Sequence, residues 1–338
     1  MTVPLLFLLQ TYAGAPACRS CHPAQFASQS ASGHARTLYR AAEHPLAARF
    51  TLPGPLQRPP RFRFTLRDFR VQLADGETEM EIPLEWAFGS GTHGVTFVSR
   101  LADDSYLEHG FSYYSDTGSF DLTPGHRSLP VRTLSEAAGQ TFRLRGAGFT
   151  IRSCFQCHST GPVSVSERSQ IQIPEAGVRC EACHGPGGAH VQARSRQSIR
   201  NPRSMSSDDL NRFCGQCHRA PEEGLAANDF TNPWNVRHQP PYLEQSKCFR
   251  ASAGALSCLT CHAPHEPLRR NDPDHYNEKC AACHTRGQRR PPAKVCLAAA
   301  RPDCAGCHMP LVAADPHLKF RNHWIGVYRG GAGLLPAR

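Results

Sequence analysis

The sequence has few methionines and no long apolar run after its first residues. Only 4 of its 338 residues are Met, and the mean hydropathy is −0.45. Because a membrane-spanning helix needs about 20 mostly apolar residues, no membrane span is expected in the mature chain. With 28 Pro and 27 Gly, the composition also offers little of the apolar core that two or more domains of this total length ordinarily bury.

Cysteine, in contrast, is abundant and regularly spaced. Fourteen of the 16 Cys belong to seven copies of the pattern Cys-x-x-Cys-His, numbered here first to seventh in chain order. Their thiol pairs are Cys18 and Cys21, Cys154 and Cys157, Cys180 and Cys183, Cys214 and Cys217, Cys258 and Cys261, Cys280 and Cys283, and Cys304 and Cys307. The histidines that complete them are His22, His158, His184, His218, His262, His284 and His308.

This spacing is typical of c-type haem attachment. The two thiols add to the vinyl groups of one porphyrin, and the adjacent imidazole becomes the proximal iron ligand. A zinc knuckle or a redox dithiol would also use Cys-x-x-Cys, but neither requires a His directly after it. Since only 18 residues are His, seven coincidences are not expected. The sequence therefore predicts seven covalently attached haems.

Seven porphyrins would replace part of the missing apolar core. Each is accompanied by about 48 residues, which is 338 divided by seven, so we expect a multihaem cytochrome c fold. It should be mostly irregular and short-helical around clustered haems. The formal charge of +10 would otherwise indicate nucleic acid. The fourteen propionates of seven haems would change the net charge from +10 to −4 in the all-ferrous protein, so no nucleic-acid partner is expected. Many Arg side chains are instead expected to pair with propionates.

The N-terminus resembles a secretory signal. Its apolar run ends at Ala13-Gly-Ala15, although the basic segment that usually precedes such a run is missing and Pro16 argues against cleavage directly after Ala15. We predict a signal peptide over residues 1–17, and a truncated peptide or a misassigned start would explain the missing basic segment; a buried first strand is the alternative. Haem is attached to such motifs outside the bacterial cytoplasm, so a periplasmic or extracellular location is expected.

The remaining chain divides by composition into three parts. Residues 18–60 form an N-terminal haem segment, and residues 61–150 contain no Cys. In this second part Phe62, Phe64 and Leu66 alternate with polar residues, a turn signal stands at Asp75-Gly76, and alternation resumes over 78–88. These patterns predict a β-rich insert. Residues 151–338 carry the other six motifs, which are so close in sequence that neighbouring porphyrins should touch.

Three segments carry a family resemblance. The string from Gly177 through Cys180-Glu-Ala-Cys-His184-Gly-Pro-Gly-Gly-Ala to His190 resembles multihaem cytochromes related to the tetrahaem cytochrome of ammonia oxidisers. The element from Cys258 to His265 is similar to one shared by pentahaem nitrite reductases and octahaem hydroxylamine-oxidising relatives, and the segment from Cys304 to His323 resembles their final haem segment. The resemblance implies parallel and perpendicular haem pairs with bis-His iron.

Sixth iron ligands are expected to be imidazoles, because Met is scarce while eleven His lie outside the motifs. Spacing and resemblance favour His34, His190, His265 and His323, followed by His126 and His317 and then His93. A solvated or hydrogen-bonded imidazole is expected at His44, His109, His238 and His275. The sequence leaves open which distal His serves which haem.

Two cysteines lie outside the motifs. In an oxidising compartment Cys248 and Cys296 are expected to form a disulfide that ties the loops around the fifth to seventh haems. Two buried free thiols are the alternative.

Three functions are compatible with these features. The preferred one is an electron carrier between redox proteins, because irons with every position filled pass electrons but bind no substrate. The second is an enzyme acting on a small nitrogen or sulfur compound at one five-coordinate haem, although no Cys-x-x-Cys-Lys occurs. The third is a subunit of a cytochrome filament. No catalytic residue is predicted, and the oligomeric state is open.

Overall fold

A computed structural model describes residues 11–219, 229–284, 303–330 and 333–337. The chain divides into two compact units between Arg200 and Asn201. Among the described residues, no helix combines the length and the apolar character needed to cross a membrane.

The first unit combines two antiparallel sheets with short helices. Its helices are α1 (Ala15–Cys18), α2 (Pro23–Ser30), α3 (Leu134–Ala138), α4 (Ile151–His158), α5 (Cys180–His184) and α6 (Gly188–Ala193). One sheet has the order β2-β3-β4-β5, formed by Leu56–Arg58, Phe62–Arg67, Arg70–Ala74 and Glu79–Pro83. The other has the order β1-β6-β7-β8-β10 with β9 on β8, formed by β1 (Leu38–Arg40), β6 (Trp86–Phe88), β7 (Gly94–Arg100), β8 (Tyr106–Tyr114), β9 (Ser119–Leu122) and β10 (Gly139–Phe142).

The alternation seen in the sequence corresponds to these strands. Phe64 pairs with Leu73 and Leu66 with Val71, and all four side chains are buried. The β-rich insert is therefore present. The alternation over 78–88, however, does not form one strand, because β5 ends at Pro83 and the chain crosses to the other sheet as β6. The Leu84 amide donates to the Phe69 carbonyl at 2.7 Å at this crossing.

The insert has apolar clusters on two faces. One contains Phe62, Phe64, Phe97 and Phe111. The other contains Leu38, Trp86, Phe88 and Tyr106, and it also receives Ile151 and Phe155 from α4. These two residues are four apart and wholly buried, so they lie on one face of the helix. Their burial fixes the helix that carries the second motif.

Four further two-residue strands complete the first unit, in the pairs β11 with β14 and β12 with β13. They are β11 (Ser159–Thr160), β12 (Ser164–Val165), β13 (Ile171–Gln172) and β14 (Glu175–Ala176).

The second unit is mostly helical. It contains α7 (Ser207–His218), α8 (Gln239–Gln245), α9 (Lys247–Ala251), α10 (Cys258–Cys261), α11 (Pro273–His284), α12 (Cys304–His308) and a hairpin of β15 (Leu311–Asp315) and β16 (Leu318–Arg321). Its apolar cluster contains Val236, Tyr242 and Val312. This cluster is much smaller than those of the first unit. A small apolar cluster is expected where cofactors fill part of the interior.

Candidate haem-attachment sites

The attachment motifs lie on short helices. Five of the helices, α4, α5, α7, α11 and α12, end at the motif His, while α10 spans the two cysteines of the fifth motif and α1 ends at Cys18. In a helix, residues three apart lie on the same face. Both thiols of such a motif therefore face the same side, as two thioether bonds to one porphyrin require.

The motif cysteines can be compared with the other sites that use Cys-x-x-Cys. In the described part of the chain they are thiols rather than disulfides. No group of three His, Cys, Asp or Glu side chains within the described ranges converges to hold a metal ion, whereas a structural zinc site requires four ligands. The arrangement fits haem attachment.

Four motif imidazoles are oriented by their Nδ1 atoms. The Nδ1–H groups of His158, His184 and His308 donate to backbone carbonyls, those of Thr37 (3.2 Å), Arg200 (2.8 Å) and Gly326 (2.8 Å). A metal-ligating His ordinarily donates its second ring N–H in this way, which fixes the tautomer and leaves Nε2 for the metal. The hydrogen bonds of these three rings are compatible with the predicted role of proximal ligand.

The imidazole of His218 differs in its acceptor. Its Nδ1–H donates to the side-chain Oε1 of Gln239 at 3.2 Å, at the start of α8. A side-chain acceptor can be changed by substitution, unlike a backbone carbonyl. Gln239 was not identified from the sequence, because a Gln 21 positions after the motif His carries no recognisable signal.

His22 of the first motif faces His190 from α6. Their ring centroids are 6.3 Å apart, and the ring planes differ by 18°. If one iron lay between two imidazoles, the centroids would be about 6 Å apart, because each metal–nitrogen bond is about 2 Å long and each nitrogen lies about 1 Å from its centroid. The Nδ1–H of His190 donates to the Ser195 carbonyl at 2.9 Å, which leaves Nε2 for a metal. The separation of the two rings matches that expected for two axial ligands of one iron.

A second imidazole pair has similar geometry in the other unit. His262 of the fifth motif and His323 have centroids 6.2 Å apart and planes differing by 36°. The His323 Nδ1–H donates to the Arg321 carbonyl at 3.0 Å. Burial, and then the neighbouring His262, lowers the pKa of His323 to about 4, so the ring is neutral at pH 7, which is the metal-binding form.

The other predicted sixth ligands lie in varied surroundings. His126 is buried in the insert with Nε2 at 3.1 Å from a carboxylate oxygen of Glu108. His34 follows α2, and its carbonyl accepts from the Val178 amide. His93 directly precedes β7, and His317 lies in the turn between β15 and β16. His265 is exposed.

His44 and His109, which were expected to be solvated or hydrogen-bonded imidazoles, are both hydrogen-bonded. The Nε2 of His44 lies 3.1 Å from the Gly89 carbonyl, and its Nδ1 accepts from the Leu46 amide at 3.0 Å. His109 is buried with Nε2 at 2.8 Å from the Ser99 hydroxyl. Burial lowers the pKa of His109 to about 3. Both nitrogens of His44 are engaged, as expected for a hydrogen-bonded imidazole.

Six motifs meet in three pairs. The first thiol of one motif lies close enough to the first thiol of another to shift its pKa in the pairs Cys18 with Cys180, Cys214 with Cys258, and Cys280 with Cys304. The helices that carry them also pack together, α1 on α5, α7 on α10 and α11 on α12. The second motif packs instead against the β-rich insert, with Cys154 beside its apolar cluster.

Arg237 is a half-buried cation beside the fourth motif. Its guanidinium carbon lies 4.1 Å from the centroid of Trp234, and its Nε is buried without a hydrogen-bond acceptor. Burial, and then Arg219, lowers the pKa of Arg237 to about 10. No carboxylate among the described residues forms an ion pair with it. This environment suits a propionate, which guanidinium binds through parallel hydrogen bonds.

The predicted Cys248–Cys296 disulfide involves Cys296, which lies outside the described residues. Burial raises the pKa of the Cys248 thiol, and Cys283 raises it further. Cys248 is also close enough to Cys261 and Cys280 to raise the pKa of each, after their own burial and nearer groups. It therefore lies among the thiols of the fifth and sixth motifs.

Comparisons with known proteins agree with this chemistry. The family model for cytochrome c554 and c-prime matches residues 132–185, which include the second and third motifs. The multiheme cytochrome MtrA of Shewanella baltica (strain OS185) is 25% identical over 169 residues, which are 47% of this chain and 45% of that protein. The chain thus spans about half the length of this relative.

One solved structure shares the fold. The outer cell wall cytochrome OcwA superposes with a TM-score of 0.52 at 16% identity, covering 93% of this chain and 79% of that one. The undecaheme cytochrome from the S-layer of Carboxydothermus ferrireducens gives a TM-score of 0.46 at 19% identity over 82% of this chain and 44% of its own. The likeness to OcwA extends across both units, so the motifs lie in a fold that a cytochrome uses.

Proposed function

We propose that this chain, a multihaem c-type cytochrome, is exported and transfers electrons between redox proteins through seven covalently attached haems. When bound, a haem iron supplies one-electron redox chemistry. The protein's own residues determine whether such an iron can also bind a substrate. They do so by filling its axial positions or leaving one open.

The observation that carries the proposal is the spacing of the two imidazole pairs. His22 with His190 and His262 with His323 lie at centroid distances of 6.3 and 6.2 Å. In each pair the distal ring has its Nδ1–H engaged by a backbone carbonyl. An iron held from both sides has no position for a small nitrogen or sulfur compound, so these two sites favour electron transfer over catalysis.

The same reasoning extends to the other irons as a proposal. We assign His190 to the first haem and His323 to the fifth. His34, His265, His317 and His93 are the proposed ligands for other irons. His126 would have to exchange its contact with Glu108 for iron, and we place it after these four.

The thiol pairs support close packing of the haems. Porphyrins bonded to adjacent thiols, as at Cys18 and Cys180, must lie side by side. We propose that the first and third, fourth and fifth, and sixth and seventh haems form such pairs. The propionates of the fourth haem would then lie within reach of Arg237.

Export is proposed on chemical grounds. Haem is attached to Cys-x-x-Cys-His motifs outside the bacterial cytoplasm, and the N-terminal residues have the character of a secretory signal. We therefore propose a periplasmic or extracellular location, with other redox proteins as electron donor and acceptor.

Low-temperature EPR of the fully oxidised protein tests the proposal. Only low-spin ferric signals are expected if each iron has two imidazoles. A high-spin ferric signal, shifted by added nitrite or hydroxylamine, would instead favour the enzyme with one five-coordinate haem. The test needs no knowledge of the physiological partners.

A further inference from the structure

The segment Thr11–Ala15 is held by a buried carboxylate of the third motif. Glu181 is 3% exposed and lies between the two cysteines of that motif. The Ala13 amide donates to its Oε1 at 2.8 Å, and the Gly14 amide donates to its Oε2 at 2.7 Å. A third amide, that of Gly187, donates to Oε1 at 2.7 Å. Two of the three donors to this carboxylate therefore come from the segment that precedes the first motif.

Contacts on either side extend this attachment. The Ala15 amide donates to Oε2 of Glu175 at 3.2 Å, and Ala15 is completely buried. At the other end, the Gly188 amide donates to the Thr11 carbonyl at 3.0 Å. The two segments approach so closely here that a β-carbon at Gly188 would overlap the Thr11 side chain. The segment is thus part of the packed structure.

A buried carboxylate depends on such donors. Taking an ionised group out of water costs free energy unless hydrogen bonds replace its hydration. Without Ala13 and Gly14, Glu181 would keep only the Gly187 amide among these donors. The loss would fall at the point where Cys18 and Cys180 meet, so it would affect the first and third attachment sites together.

We infer that Ala13–Ala15 remain in the mature protein as a strap joining the first and third attachment motifs. Export cleavage, the hydrolysis of one peptide bond, therefore occurs before Ala13 rather than after Ala15 or residue 17. The position of cleavage rests on the export proposed above, whereas the strap itself does not.

N-terminal sequencing and intact mass of the haem-loaded protein, purified from the periplasm of a host that matures c-type cytochromes, test the cleavage position. A first residue at Ala13 or earlier is expected. An exported, haem-loaded chain that begins at Gly14 or later would overturn the inference while leaving the proposed function intact. A chain retained in the cytoplasm would contradict the proposed export, and the strap would then be tested by hydrogen exchange.

Hydrogen exchange on the purified protein tests the strap whether or not the chain has been exported. The amides of Gly14 and Gly187 should be protected, and Glu181→Gln should speed their exchange by about tenfold, because a neutral amide accepts more weakly and through one oxygen only. Glu167→Gln, at an exposed Glu in the same unit, is the matched control and should leave exchange unchanged. Exchange of Gly14 at the rate of an unstructured peptide in the unmutated protein would exclude the strap.

Discussion

The imidazole rings of His22 and His190 face each other at 6.3 Å, although His190 belongs to the segment after the third motif. The same segment supplies Cys180, whose thiol contacts Cys18, and Glu181, which binds the backbone before the first motif. Residues 180–190 therefore form much of the surroundings of the first attachment site. A change in this short segment should be detected at a haem whose own motif is far away in sequence.

Replacing His190 with Ala should open one iron to a five-coordinate state. The first haem would lose its sixth ligand, so one high-spin ferric centre per chain should appear by EPR, with the remaining haems unchanged. His44→Ala is the control, because His44 is buried but both its nitrogens are hydrogen-bonded within the insert. If the spin states of the His190 variant matched those of the unmutated protein, His190 would not be the ligand.

Gln239→Glu should lower the midpoint potential of one haem. A carboxylate accepts the Nδ1–H of His218 more strongly than an amide, which makes the imidazole more basic and stabilises ferric iron. Gln245→Glu adds the same charge at the other end of α8 and should have a smaller effect. Spectroelectrochemical titration measures both variants, and equal shifts would mean that charge alone, without the hydrogen bond, sets the potential.

Gly177→Ala should destabilise the first unit more than an ordinary Gly substitution. Gly177 has φ +81°, and a β-carbon there would overlap the Ala35 carbonyl. Gly125 has φ +85° but open space around it, so Gly125→Ala should cost only about 1 kcal/mol for the left-handed backbone. The clash should add roughly 1–3 kcal/mol at Gly177. Thermal unfolding followed by circular dichroism compares the two variants, and equal losses would argue against the close approach.

The buried His109 should make the first unit acid-sensitive. Its pKa is about 3 in the folded protein against 6.5 in the unfolded chain. Below pH 6.5 the unfolded state takes up a proton that the folded state cannot, so stability is full above pH 6.5 and falls as the pH drops towards 3. Between pH 7 and 5 this single group should cost about 2 kcal/mol.

His109→Gln should remove that dependence. The variant lacks the titrating group but can still hydrogen-bond Ser99. Unfolding temperatures at pH 7 and pH 5 should therefore differ less for the variant than for the unmutated protein. A pH dependence that stays the same in the variant would assign the effect to other residues.

Local features of the fold were predictable from the sequence, and long-range ones were not. The buried alternation of Phe62, Phe64 and Leu66 depends on neighbours within one strand, so it is visible in the pattern. The break at Pro83 is not, because the alternation continues through it while the chain changes sheets.

The same division applies to the site. The motif thiols follow directly from spacing. The opposition of His22 and His190, the contact of Cys18 with Cys180 and the role of Gln239 depend on folding that brings distant segments together. A single Glu, such as Glu181, or a single Gln, such as Gln239, gives no indication in the sequence of the partner it will meet.

The most direct test of the account is the number of haems bound covalently to the mature chain. The intact mass of the denatured protein, combined with a pyridine haemochrome assay of the same sample, should give seven haems per chain, with an iron content to match. A protein that carries no covalently bound haem, or that contains zinc in place of iron, would contradict it.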